Sequence, residues 1–201
     1  KKADMMSNEN IRDDGENIGL FEPLMVSEGS PKRSELNDLV LDLATASARF
    51  ASSLPVSIAD ALADLIRSMN CYYSNLIEGH NTHPIDIERA LNDDYSADRE
   101  KRDLQLEAKA HIAVQKWIDE DGLDAGTTSP EMIMEIHRRF CELLPPDLLF
   151  VEVPSTGEKI PVVPGEFRTR DVEVGHHLAI SPGSVPRFLD RMHSVYRHTS
   201  R

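Results

Sequence analysis

At 201 residues and 22.6 kDa, with 40% apolar residues, the chain is long enough for one medium domain, or for a domain with a smaller helical annex, and too apolar to be read as disordered. Its 22 Lys and Arg against 35 Asp and Glu give a formal charge of −13, which repels a phosphate backbone, so nucleic acid is not an expected partner. Cys71 and Cys141 both sit inside apolar helical patterns, and no apolar run nears the ~20 residues a bilayer needs; the sequence speaks against a disulfide framework and a membrane span, and for a reducing, cytoplasmic setting.

In chain order, residues 1 to about 33 are polar, because Asp13, Asp14, Gly15, Glu16 and Asn17 dilute any period. They are expected to form a flexible acidic arm, with Leu20, Phe21, Leu24 and Met25 available to dock on the body. From Ser34 the residues Leu36, Leu39, Leu43, Ala46 and Phe50 recur at helical spacing until Pro55, which predicts a first helix. Ser57 and Asp60 resemble a capping box with Asp in the acidic position. Behind them Ile58, Leu62, Leu65, Ile66, Met69, Tyr73, Leu76 and Ile77 hold one face of a long helix, 57–78, stopped by Gly79.

Pro84 opens a short helix through Ile85, Ile87, Ala90 and Leu91. The charged run Asp93 to Asp103 either links it to the next helix or opens that helix, whose stripe holds Leu104, Ala108, Ala110, His111, Val114 and Trp117 and whose end is expected at Gly122. Ser129-Pro130-Glu131 is a strong helix start, with Ile133, Ile136, Phe140, Leu143 and Leu144 facing inward before Pro145-Pro146. Around Ile160 the pattern turns to Val162, Val163, Phe167, Val172 and Val174 between prolines and glycines, which predicts a hairpin or flap over 160–180. Past Pro182-Gly183 a last helix carries Val185, Phe188, Leu189, Met192, Val195 and Tyr196 and meets no stop signal by Arg201, so the chain is expected to end within an element.

Few residues stand out chemically. His80 and His83 with His176 and His177 make a poor metal cluster, since the pairs are far apart in sequence without a fixed carboxylate spacing; no metal site is assigned. Glu107 and His111, and His137 and Cys141, lie one helical turn apart without a third partner, and packing explains both pairs, as it does Trp117. Glu78 is different. It closes a long helix, where the dipole disfavours a negative charge by ~0.3–1 kcal/mol, so either a cation from elsewhere pairs with it or it simply faces solvent before a capping glycine.

Ser74, Glu78 and Gly79 resemble the Ser/Thr-x-x-x-Glu-Gly/Asn signature of the inhibitory helix of Fic (Fido-domain) proteins. Two further features are similar to that family. His80 to His83-Pro84 leads into a short helix, and Pro164-Gly165-Glu166-Phe167-Arg168 followed by Val172-Glu173-Val174-Gly175 looks like the segment leading into its target-docking flap. The resemblance covers about residues 35–201. The family's catalytic signature, His-Pro-Phe-x-Asp/Glu-Gly-Asn-Gly-Arg, is nowhere in these residues; His83-Pro84-Ile85 lacks the phenylalanine and the glycine-rich anion nest.

The resemblance implies a mainly α fold, a Fic-like helical bundle with a small β-hairpin flap. Residues 34–103 would be an N-terminal helical region containing the inhibitory helix, and 104–201 the first part of a Fic domain. Glu78 would be the regulatory carboxylate that pairs with a motif arginine, Ser74 and Gly79 would support its helix end, and Gly165, Phe167, Arg168, Val172 and Val174 would line the flap that aligns a target by strand addition. The complete family enzyme uses ATP and Mg²⁺ to transfer AMP to a protein hydroxyl. This chain alone is expected to bind neither productively and to be inactive, with a protein substrate and a second copy of the chain as candidate partners. Two alternatives are an antitoxin-like module that presents Glu78 to a separate Fic domain and a helical scaffold.

Overall fold

A computed structural model describes residues 11–22, 24–80, 82–121 and 126–197. The chain is mainly helical and divides into two compact units, one of residues 24–120 and one that joins the described residues up to 22 to those from 121 onward.

In the 24–120 unit, α1 (Arg33–Ser53) and α2 (Val56–Ile77) flank the break that Leu54-Pro55 imposes. α1 forms where the spacing predicts it, yet none of its residues is buried, and Leu39 and Leu43 are 56% and 71% exposed. The α2 start differs from the expected capping box. Pro55 takes the N-cap position without a side-chain cap, so the Ser57–Asp60 reciprocal pair does not form. Its buried face also differs: Arg67 and Cys71 are buried, while Leu65, Ile66 and Met69 are exposed.

α3 (Pro84–Leu91) starts on its proline. α4 (Arg99–Asp121) shows that the charged run does both jobs, with 92–98 linking and Arg99 to Asp103 opening the helix. The core is Cys71 from α2, Ile87 from α3, and Ala108 and Ile112 from α4, with Tyr72 packed against it. Arg67 locks the α2–α4 seam, its Nε donating to Asp119 at 2.8 Å and a terminal nitrogen to Asp64 at 2.7 Å. Gln105, 1% exposed, donates from Nε2 to the carbonyls of Asp86 and Asp94 and accepts from the Ser96 N–H, so one side chain satisfies the link between α3 and α4.

In the other unit, α5 (Pro130–Glu142) begins as expected: the Ser129 hydroxyl caps it by accepting from the Met132 N–H at 3.1 Å. Leu143, expected inward, is exposed; it lies at the C-cap, past the last helical turn, where the stripe no longer constrains it. β1 (Phe150–Glu152) pairs antiparallel with β2 (Lys159–Pro161), and β3 (Glu173–Val174) with β4 (His177–Leu178). The hairpin expected over 160–180 is β3–β4, while β1–β2, spanning 150–161, is a further hairpin that the sequence did not lead us to expect; Pro161, Pro164 and Gly165 lie between the two ladders. α6 (Val185–Tyr196) follows a short 3-10 turn, Pro182–Ser184, and buries Phe188.

Residues 11–22 depart from the expected loose arm, since hydrogen bonds fix them to the start of α6. Residues 1–10 of that arm, the helix end expected at Gly122 and the run of the last helix to Arg201 lie outside the described residues. No described helix is long and apolar enough to cross a membrane.

Candidate functional site

The C-terminal end of α2 gathers Ser74, Glu78 and Gly79. Gly79 adopts φ +80°, its N–H donates to the Leu76 carbonyl at 3.1 Å, and the His80 N–H donates to the Asn75 carbonyl at 2.8 Å. These are the two bonds of a left-handed helix stop, in which a glycine avoids the Cβ penalty. The stop places Glu78 at the C-cap, where its own N–H donates to the Ser74 carbonyl. Ser74, Glu78 and Gly79 are all exposed. Among the described residues no hydrogen-bond or ion-pair partner of the Glu78 carboxylate is present, so a carboxylate stands on a rigid turn at the negative end of a helix with no cation of its own.

Next to this turn lies an open cleft lined by His80, Arg99, Asp103, Leu104 and Glu107. His80 Nδ1 is 4.0 Å from a Glu107 oxygen. Burial pushes the Glu107 carboxyl above its ordinary range, His80 opposes that shift and Asp103 reinforces it. His111, one turn further on, is pushed down by burial. Glu107 thus faces His80 across the cleft, a neighbour that helix spacing alone does not indicate. His83 is the exposed N-cap of α3. Among the described residues no group of three or more His, Cys, Asp or Glu is arranged to hold a metal ion.

The expected flap residues lie in the other unit. Gly165, at φ +79°, packs on α5, where an added Cβ would sit 3.0 Å from Arg138 Cβ and 3.3 Å from the Met134 carbonyl. Its N–H donates to His137 Nδ1 at 3.0 Å. Phe167 and Arg168 are half-buried, and Arg168 donates to the carbonyls of Arg170 and Ile180, tying the two ends of the second hairpin. Val172 is exposed and its carbonyl accepts from the Ala179 N–H at 2.9 Å, extending the β3–β4 ladder; Val174 pairs with His177 in register. A two-stranded ribbon leaves both of its edges unpaired, the feature that strand addition uses.

Sequence reasoning missed the contacts of the arm. Ser181 and Ser184, 1% and 0% exposed, meet two carboxylates: the Ser181 hydroxyl donates to Glu16 at 2.7 Å and the Ser184 hydroxyl lies between Asp13 and Glu16. Arg187 adds a bond to Asp13 at 3.0 Å, and Arg191 one to Glu22 at 2.9 Å. Gly183 leaves the space, since a Cβ there would fall 2.7 Å from Asp13 Cβ. Partners more than 160 residues apart carry no local signal, and only the acidic character of one segment and the basic helix face of the other hinted at them. No protein-family model and no curated protein sequence matches the chain.

Proposed function

We propose that the chain is the regulatory and target-docking portion of a Fic-type nucleotidyltransferase, in which Glu78 restrains transfer of AMP from ATP to a protein hydroxyl. The observation that carries this reading is the end of α2, where an exposed Glu78, with no cationic partner among the described residues, sits on a turn fixed by Gly79. A carboxylate held this way is preorganised to pair with an arginine that would otherwise bind a nucleotide phosphate. The open edges of the β3–β4 ribbon suit an extended target segment. The family's histidine, Mg²⁺ ligand and phosphate-binding arginine are not among these 201 residues, so ATP and Mg²⁺ belong to the complete enzyme, and the 201-residue chain by itself should transfer nothing.

The test is the full-length product of the reading frame, with and without Glu78→Gly, supplied with labelled ATP and with dephosphorylated casein as an unstructured acceptor rich in hydroxyls. The substitution should raise AMP incorporation at least about tenfold, the scale of one charge-assisted pair. Equal incorporation by both proteins removes the regulatory role. The exposed apolar stripe of α1 favours a second reading, an antitoxin-like or scaffold module. Isolation of the chain in a stable complex with a separate catalytic protein would support that reading over the first.

A further inference from the structure

His137 is the point where the flap meets α5, and both nitrogens of its ring are engaged. The Gly165 N–H donates to Nδ1 at 3.0 Å, so Nδ1 carries no proton and the neutral ring holds its proton on Nε2. Nε2 lies 3.4 Å from Cys141 Sγ, a thiol that burial pushes upward and so keeps uncharged. The ring is thereby oriented from behind by a sulfur on its own helix and spends its acceptor on the flap backbone.

The flap side is equally specific. Gly165 is the residue whose backbone lies flat on α5, and its left-handed φ, with Arg138 Cβ and the Met134 carbonyl against the missing side chain, leaves glycine alone able to bring the N–H within reach. Arg138 is a fixed wall, since Glu135 and Glu142 accept from it at 2.7 and 2.6 Å. Three residues beyond Gly165, Arg168 holds the carbonyl of Ile180. The hairpin is thus suspended between one anchor on α5 and one tie across its own base.

We infer that His137 is a positioning residue that clamps the base of the flap to α5 through Gly165 and so fixes how the β3–β4 ribbon presents its edge to an extended segment of a target protein. The inference rests on the reading of this segment as a docking flap. His137 itself touches no target.

The experiment uses the full-length protein in the Glu78→Gly background with dephosphorylated casein as acceptor. His137→Leu should speed hydrogen exchange of the Gly165 amide about tenfold and raise the KM for casein about three- to tenfold, the range of one lost hydrogen bond, with kcat and the KM for ATP within about twofold. His137→Asn, whose side-chain oxygen falls near the position of Nδ1, should restore both readouts. An unchanged Gly165 exchange rate in His137→Leu overturns the clamp, as does an unchanged KM for casein. A folded His137→Asn that behaves like His137→Leu overturns it too, because ring packing and not the acceptor would then be at work. Absence of AMP transfer in the Glu78→Gly background overturns the functional reading and the docking role with it, while the exchange rate still decides whether the clamp exists.

Discussion

Two glycines separate the cost of a left-handed backbone from the cost of crowding. Gly79 and Gly165 have nearly equal φ, +80° and +79°, but a Cβ at Gly79 meets open space whereas one at Gly165 meets Arg138 and Met134. Gly79→Ala should therefore cost ~1 kcal/mol, the penalty of the conformation alone. Gly165→Ala should cost ~2–4 kcal/mol, because overpacking adds ~1–3 kcal/mol. Chemical denaturation of the two variants decides the matter, and equal losses would mean that the α5 wall yields freely. Both glycines were legible in the sequence, one as the residue after a long apolar stripe and the other in a Pro-Gly step. The acceptor of the Gly165 N–H was not legible, since His137 is 28 residues earlier and on a different element.

Helices were the most readable elements and their faces the least. α1, α2, α3 and α5 begin and end within a residue or two of the positions given by Pro55, Gly79, Pro84 and Ser129, because helix punctuation is local. Which side of α2 is covered depends on a partner, and the α4 partner lies against Arg67 and Cys71 and leaves Leu65 and Ile66 in the open. A 3.6-residue period marks a stripe without naming its cover. The turn at Glu78 was readable for the same local reason, whereas the cleft beside it required α4 to bring Glu107 to His80.

That cleft yields a pH-dependent prediction. The folded carboxyl of Glu107 is raised by burial above its ordinary value of 4.5. The native state therefore binds its proton more tightly than the unfolded chain does, and the charged form disfavours folding as pH rises past 4.5. Glu107→Gln, which stays neutral, should raise the melting temperature at pH 7 and lose that advantage near pH 4, where the wild-type carboxyl is itself protonated. Scanning calorimetry at the two pH values measures it, and an advantage that grows on acidification would reverse the assigned sign.

For the molecule as a whole, the charge of −13 predicts that mild acid helps, since fewer carboxylates repel one another, but the ion pairs set a limit to that gain. Asp13 is held down to about 2 by Arg187, the Gly15 N–H and Ser184, and Glu16 to about 2 by Ser184 and the Ser181 N–H and hydroxyl. Glu135 is held down to about 2 by Arg138 and Arg139. A depressed folded value means that these groups stabilise fully above their ordinary 3.8–4.5 and lose that contribution as pH falls toward about 2. Stability should accordingly be flat or rising from pH 7 to about 5 and fall steeply below about 4. The contacts of residues 11–22 should weaken in the same window, because protonation of Asp13 removes its attraction for Arg187 and protonation of Glu16 weakens its acceptance from Ser181 and Ser184. The Gly183 N–H, which donates to the Arg12 carbonyl at 2.8 Å, reports on this directly. Its hydrogen exchange, corrected for the intrinsic pH dependence, should remain slow at pH 5 and speed up near pH 3. High salt should shift the onset toward neutral pH, because these pairs are exposed and the screening length falls to about 3 Å, the scale of the pairs themselves, near 1 M. Gly183→Ala separates the arm from the rest of its unit, since a methyl group there collides with Asp13 and Arg12: fast exchange of residues 11–22 at pH 7 with α5 and α6 still protected is the expected pattern, and an arm that stays protected would show that its carboxylates hold it without the close approach at Gly183.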